Sequence, residues 1–438
     1  MKSEKMSGKN DKDSIKRPEL LIPAGSLEVL KVAVDYGADA VYIGGDVFSL
    51  RAKAKNFSAE DMAAGIEYAH SKNVRVHVTA NILAHNGDIA NAEDYFKQLK
   101  ELKPDALIIS DPGMFMTARR VCPEIDIHIS TQANNTNYET CRFWYEQGAK
   151  RIVTARELSL KEIKEMREKI PADLELESFI HGAMCISYSG RCLLSNYFTG
   201  RDANKGACTH PCRWKYAVVE ESRPGEYLPI EENERGTFIF NSKDLCMIEH
   251  IPELLDAGID SYKIEGRMKT ALYVATVART YRRAIDRCLE SREGYLADME
   301  WYKKEIASCT YRQFTTGFYF GRTDENSQIY DSNTYINECI YLGKVAESRI
   351  EADGSRIYRV AQKNKFSVGE ELEVMKKDGR DIHVKCVSMF DGDMNRIDSC
   401  PHPEMTVWFG LEKTDGTSLN EAEIPEEGEL IRLRKTQN

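Results

Sequence analysis

From Glu19 to about Arg267 the chain repeats one pattern: a short β-rich apolar run, a turn, then an amphipathic helical run. Short apolar strands separated by helices pair in parallel, because each crossover helix returns the chain to the same end of the sheet. Eight such strands are predicted, over 20–22, 40–43, 75–81, 106–110, 126–131, 151–155, 174–181 and 261–264. The helices between them start on capping residues: Ser26 with Glu28 nearby, Ser58 before Glu60 and Asp61, and Ser159 before Glu162. Eight β/α units that close on themselves make a (β/α)8 TIM-like barrel. The rival, an open doubly wound sheet, lacks its usual mark, since no G-x-G-x-x-G follows the first strand.

In such a barrel the residues just after each strand gather on one rim, where the chemistry is done. Here they are polar: Gly25 and Ser26, Asp46 with Arg51, Asn81, Asp111, Ser130 with Gln132 and Asn134, Arg156, His181, and Glu265 with Arg267. Exposed strand ends are polar in any barrel, so only part of this set calls for a functional explanation.

Directly after the seventh strand comes an insertion, 183–241, which carries Cys185, Cys192, Cys208 and Cys212 in the spacing C-x6-C-x15-C-x3-C. Glycines at 182, 190, 200 and 206 let the backbone turn between the thiols. Three chemistries compete for these sulfurs. Structural zinc favours two closely spaced pairs, and the first pair here is wide. An iron–sulfur cluster tolerates irregular spacing. A catalytic thiol would take His181 or His210 as its base. No H-E-x-x-H and no G-x-S-x-G is present, nor the C-x3-C-x2-C of radical enzymes that use S-adenosylmethionine. The remaining cysteines, at 122, 141, 246, 288, 309, 339, 386 and 400, are scattered singly and read as small buried hydrophobes.

The 438 residues exceed one ordinary core, and the texture changes along the chain. The polar, Lys-rich stretch 1–17 reads as a disordered tail and not a secretory signal, so a cytoplasmic location is expected. No apolar run is long enough to span a bilayer, and no membrane partner is expected. The barrel occupies 18–290, its last helices covering 243–257 and 270–290, and 291–330 reads as a helical connector. From 331 to 438, short alternating runs between Asp-Gly and Ser-Val-Gly turns predict a small antiparallel β-barrel. A net charge of −10 argues against a nucleic-acid binder that uses its whole surface, but not against a local basic patch. Arg279, Arg282, Arg283 and Arg287 share one face of the long helix, as a solvated face or as a stripe for phosphates.

The runs ESFIHGAMCISYSGRCLLS, GACTHPCRW and SYKIEGRMKT, together with ELLIPAGSLEVLKVAVDYGADAVYIGG and HISTQANNTN, resemble the collagenase-like peptidase family of unknown catalytic type. The resemblance covers about 18–290, and the C-terminal β-barrel also occurs in the family's longer branch. It implies a 4Fe-4S protein of oxygen-independent hydroxylation. In the branch of this length the implied reaction converts the wobble uridine of tRNA to 5-hydroxyuridine, with prephenate as a small dicarboxylate co-substrate and a related subunit as a further partner. Carried over residue by residue, Cys185, Cys192 and Cys208 match the first three cluster ligands. Cys212 is taken as the fourth, with Cys246 in reserve. Arg51, Arg267 and Lys269 become the carboxylate clamp and Gln132 a further substrate contact, because a guanidinium fork fits a carboxylate. Glu265 and His181 become the proton-handling candidates. Arg213, Lys215, Arg279 and Arg283 become the phosphate contacts. The competing functions are a peptidase, and an iron–sulfur or zinc module that binds RNA for another subunit.

Overall fold

The computed structural model describes residues 16–49, 56–185, 187–214, 242–321 and 336–435, with four two-residue strands between 218 and 237. The chain runs β1 (Glu19–Pro23), α1 (Leu27–Asp35), β2 (Ala40–Gly44), α2 (Ala59–Ser71), β3 (Arg75–Ala80), α3 (Asn86–Leu102), β4 (Ala106–Ile109), α4 (Pro112–Val121), β5 (Asp126–Ile129), α5 (Tyr138–Glu146), β6 (Arg151–Val153), α6 (Leu160–Lys169) and β7 (Glu175–Ala183). The insertion follows, with α7 (Leu194–Thr199) and two small hairpins, β8 (Val218–Val219) with β9 (Tyr227–Leu228), and β10 (Glu232–Asn233) with β11 (Gly236–Thr237). Then come β12 (Asp244–Cys246), α8 (Ile251–Asp256), β13 (Ser261–Ile264), α9 (Ala271–Glu290), α10 (Arg292–Ala297), α11 (Met299–Ile306) and β14 (Phe314–Thr315). The tail predicted over 1–17 lies outside the described residues except for Lys16 and Arg17, which pair with Glu175 and Asp260, and with Asp39 and Asp286.

Strands β1 to β7 are successive parallel neighbours, and β13 pairs with both β7 and β1, so eight strands close the predicted barrel. Strands β1, β2 and β13 are buried along their whole length, as a parallel sheet wrapped in helices requires. The predicted caps are in place. Ser26 Oγ accepts from Val29 N, Ser58 Oγ from Asp61 N, and Ser159 with Glu162 forms a reciprocal capping box. At the N-terminal end of the barrel a buried ionic set fills the interior. Arg151 lies 3.0 Å from Glu177 and also pairs with Glu19 and Glu175, and Lys263 lies 2.6 Å from Glu177.

One predicted element is different. The helix expected over 243–257 is instead strand β12 followed by the short helix α8. Pro252 has no N–H, which is harmless only in a helix's first turn, so the helix begins beside it and not upstream. The freed segment adds to the barrel edge: β12 pairs antiparallel with the end of β7 and parallel with β14.

The C-terminal unit comprises β15 (Cys339–Ile350), β16 (Arg356–Gln362), β17 (Glu371–Met375), β18 (Asp381–Phe390), β19 (Thr406–Lys413) and β20 (Leu430–Arg434). They close a six-stranded antiparallel barrel in the order β15-β16-β19-β18-β17-β20. Fully buried Arg432 on β20 joins it to α11 through Glu305 (2.8 Å) and is held within its own barrel by Glu373 on β17 (2.7 Å). Arg279 on α9 reaches Asp381 on β18 at 2.9 Å, and Tyr36 at the end of α1 donates to the Met375 carbonyl at 2.6 Å. Among the described residues no helix is long and apolar enough to cross a membrane.

Removing one partner of such a network leaves the others charged and buried. Arg432→Met is expected to cost about 3–5 kcal/mol, read as a lower urea midpoint for loss of the C-terminal barrel. A midpoint equal to the parent's would show that the network does not hold the two barrels.

Candidate active site at the barrel mouth

Strand β7 outlasts the barrel. Its residues 177–181 pair with β13, and its last residues pair with β12, Ala183 facing Asp244 and His181 facing Cys246. Both feet of the cysteine insertion are thereby held together at the C-terminal rim. Asp244 is locked by Arg312, whose Nε and Nη2 reach Oδ1 at 3.0 and 2.6 Å and whose backbone N–H reaches Oδ2 at 3.0 Å. The Tyr281 hydroxyl on α9 accepts from Met247 N and donates to the Ile180 carbonyl, both at 3.1 Å. It lies 3.3 Å from His181 Nδ1 and 3.8 Å from Cys246 Sγ.

His181 is 1 % exposed and enclosed by the rings of Tyr273, Tyr281 and Phe314. Burial pushes its imidazole down to about 4, so it is neutral at physiological pH. This is the packing of a core histidine. Cys246, opposite it, is half-buried on a strand and not on the helix expected there, and burial pushes its thiol up to about 11.

After β13, Arg267 turns back into the mouth. It is 8 % exposed, and its Nη1 donates to Ser49 Oγ at 2.6 Å and Thr79 Oγ1 at 3.0 Å, so one guanidinium links the segment after β13 to the loop after β2 and the end of β3. Two glycines allow this. A Cβ on Gly44 would lie 2.2 Å from Arg267 Nη1, and one on Gly25 would lie 2.1 Å from the Arg267 carbonyl. Half-buried Glu265 approaches the Tyr42 hydroxyl at 3.5 Å. Lys269 lies over the Tyr273 ring, with Nζ 3.4 Å from the Thr310 carbonyl, and so belongs to the outer wall. Arg51 lies outside the described residues. Of the predicted clamp, the structure therefore seats Arg267 in the mouth and turns Lys269 away from it.

Arg156, after β6, has a larger part than its sequence position suggested. Its Nη1 donates to the Ala183 carbonyl at 2.8 Å, and the neighbouring Cys185 and Glu265 raise its pKa despite the burial that lowers it. It links the insertion to the β13 side of the rim. Its one signal in the sequence was its place directly after the sixth strand. Gln132 is 7 % exposed beneath the insertion, where a Cβ on Gly190 would lie 3.6 Å from its Oε1. Its Oε1 and the Oδ1 of Asn81 have no hydrogen-bond partner among the described residues. Asn81 Nδ2 donates to Ser130 Oγ at 3.3 Å, which fixes the amide with its oxygen free. Buried amide oxygens without partners cost about 1–3 kcal/mol each, which marks this side of the mouth as a place built for a donor.

In the insertion, α7 ends on Gly200 in the left-handed region, and Ser195 Oγ accepts from Thr209 N at 3.0 Å, tying α7 to the Cys208 segment. Cys185 is exposed and Cys192, Cys208 and Cys212 are half-buried, whereas the cysteines at 122, 141, 288, 309, 339, 386 and 400 are buried. The accessible thiols suit a thiolate-bound group in donor type. They do not meet in this arrangement: among the described residues no three His, Cys, Asp or Glu side chains are placed to share a metal ion.

Of the predicted phosphate contacts, Lys215 lies outside the described residues, and Arg213 is described only as the end of a 3-10 turn, Pro211–Arg213. Arg279 needs correcting. It is 4 % exposed and held by Glu305 and Asp381, so its charge is spent between the two barrels and cannot face a phosphate. Arg283 stacks on Trp301 at 4.3 Å and pairs with Asp298 at 3.4 Å.

The fold and rim define a (β/α)8-barrel protein with a four-cysteine loop at the end where such barrels do chemistry. Residues 25–329 match the model of Peptidase family U32, and 337–425 that of the Peptidase family U32 C-terminal domain. The chain belongs to peptidase family U32. It is 40 % identical over 398 residues to tRNA hydroxylation protein P1 of Bacillus subtilis (strain 168), covering 91 % of this chain and 93 % of that one. It is 38 % identical over 432 residues to tRNA hydroxylation protein P of Escherichia coli (strain K12), covering 90 % and 93 %. It is 34 % identical over 354 residues to the collagenase of Porphyromonas gingivalis (strain ATCC BAA-308 / W83), covering 76 % and 83 %.

The buried histidines set a pH response. His77 and His181 have folded values of about 4, below the unfolded 6.5. Between those values the unfolded chain takes up protons that the folded chain refuses, so stability is lost as pH falls from 6.5 to 4, by up to about 3 kcal/mol per histidine. His181→Gln is expected to flatten this decline in urea midpoints measured across that range. An unchanged slope would show that His181 takes up its proton in the folded protein as readily as in the unfolded chain.

Proposed function

We propose that this chain is a tRNA-modifying enzyme that hydroxylates the wobble uridine to 5-hydroxyuridine without O2, using prephenate as co-substrate. The observation that carries this reading is the similarity to tRNA hydroxylation proteins over about nine tenths of both chains, C-terminal barrel included. Cys185, Cys192, Cys208 and Cys212 would hold a 4Fe-4S cluster, which when bound supplies redox chemistry at the mouth. Gathering the four sulfurs requires the insertion to close round the cluster from pinned feet. Arg156, whose Nη1 donates to the Ala183 carbonyl, stands beside Cys185 at the first foot of the loop.

The rim residues then divide the work. Arg267 presents a guanidinium already oriented by Ser49 and Thr79, suited to one carboxylate of a dicarboxylate. Glu265, between Tyr42 and Arg156, is placed to hold a proton or orient the cation. Asn81 and Gln132 offer amide oxygens to an N–H or O–H donor of the substrate.

The collagenase relative raises a peptidase reading, and the pair Cys246 and His181 is the juxtaposition it would use. Burial raises the thiol to about 11 and lowers the imidazole to about 4, the reverse of the thiolate–imidazolium pair that a thiol peptidase relies on.

Cells lacking this chain are expected to lose 5-hydroxyuridine-derived nucleosides from tRNA, measured by mass spectrometry. The parent gene should restore them and Cys192→Ala should not. Cys192→Ala purified without oxygen should lose the brown colour and most of the iron of the parent. Arg267→Lys, which keeps charge but loses the fork, is expected to lower kcat/KM for prephenate at least about tenfold. Unchanged tRNA nucleosides, with gelatin cleavage that survives iron removal, would replace this reading with the peptidase one.

A further inference from the structure

The insertion carries an exposed aromatic face that nothing above employs. Among the described residues of the insertion, Tyr197 is 82 % exposed, Phe198 46 %, Tyr188 45 % and Trp214 40 %, and Leu193 is 68 % exposed. The rings form one surface: Tyr197 and Phe198 have centroids 5.2 Å apart, and Phe198 and Trp214 6.0 Å. Contiguous exposed apolar surface of this kind marks an interaction site.

The charge of this stretch of sequence favours one class of partner. From 184 to 215 the chain carries Arg191, Arg201, Lys205, Arg213 and Lys215 against the single carboxylate of Asp202, in a protein whose net charge is −10. Arg191 is exposed. Cations interleaved with open aromatic faces suit a single-stranded nucleic acid: the cations take phosphates and the rings stack on unpaired bases. A duplex hides its base faces and gives the rings nothing to stack on.

We propose that Tyr197, Phe198 and Trp214 form a stacking platform for unpaired bases of an RNA loop, and that the platform delivers the target base to the barrel mouth. The proposal rests on the tRNA reading and names the surface that reading requires. The geometry favours delivery, because the insertion's feet are pinned at the rim by the pairing of Ala183 with Asp244. The loop also lies over Gln132, where a Cβ on Gly190 would sit 3.6 Å from its Oε1, whereas the arginines of α9 are engaged by carboxylates.

The test uses the full chain and a synthetic anticodon stem–loop RNA with uridine at the wobble position, with a loop-free duplex of equal length as comparison. Affinity is measured by anisotropy across a salt series, and tryptophan emission is followed in parallel. Trp144 and Trp408 are buried, so Trp214 is the tryptophan most open to quenching by a stacked base. Tyr197→Ala and Trp214→Leu are each expected to weaken stem–loop binding about five- to a hundredfold without changing the salt slope. Arg191→Ala is expected to lower that slope by about one. Tyr197→Phe should bind like the parent, and RNA quenching should disappear in Trp214→Leu.

Salt-dependent stem–loop binding that is equal in parent, Tyr197→Ala and Trp214→Leu would overturn the platform and leave the tRNA reading standing. Absence of RNA binding at any salt would remove both. A change in oligomeric state in Tyr197→Ala with RNA affinity unchanged would assign the face to a protein partner and also overturn the proposal.

Discussion

The arrangement depends on one shared strand. β7 closes the barrel through β13 and then continues to pair with β12, so the hydrogen bonds that finish the cylinder also clamp both feet of the insertion. The residue at the far foot, Asp244, is buried and would be costly as an unpaired charge; the fork and backbone N–H of Arg312 satisfy it. Tyr281, from the long helix outside the barrel, supplies the remaining polar contact between Ile180 and Met247. A loop of about sixty residues pinned in this way loses less entropy on binding than one hung from a single strand.

The two ends of the barrel treat polarity oppositely. At the N-terminal end Glu19, Arg151, Glu177 and Lys263 are buried and paired, and Arg151 holds the Glu19 carboxyl down at about 2 against the burial that would raise it. At the mouth, amide oxygens of Asn81 and Gln132 lie buried without partners among the described residues. One end is organised by ion pairs and serves stability; the other leaves amide oxygens that a ligand or ordered water would satisfy.

Much of this was legible in the residues. The alternation of apolar runs with capped amphipathic helices located the eight barrel strands, and period-two runs located the six strands of the second barrel, because both signals are local. Non-local pairing was not legible. β12 owes its strand conformation to the end of β7, and its short apolar stretch alone reads equally well as helix. The arginines of α9 looked like a phosphate stripe because their partners, Asp39, Asp298, Glu305 and Asp381, are distant in sequence. Nothing local in the sequence marks Gly25 and Gly44 for the close approach of Arg267 that the structure shows.

The same reasoning separates the cysteines. Burial raises thiol pKa, so a cysteine packed in a core is a poor ligand and a poor nucleophile. Cys141, Cys309 and Cys386 are buried, with thiols pushed well above their usual range. The four cysteines of the insertion are the ones left accessible, apart from half-buried Cys246, and they lie in a net-basic stretch of an acidic chain. Positive surroundings lower the cost of a thiolate and attract a polyanion by the same field. On the proposed reading, one charge distribution would serve both a thiolate-bound group and an RNA, with cations, thiols and open aromatic rings in a single loop.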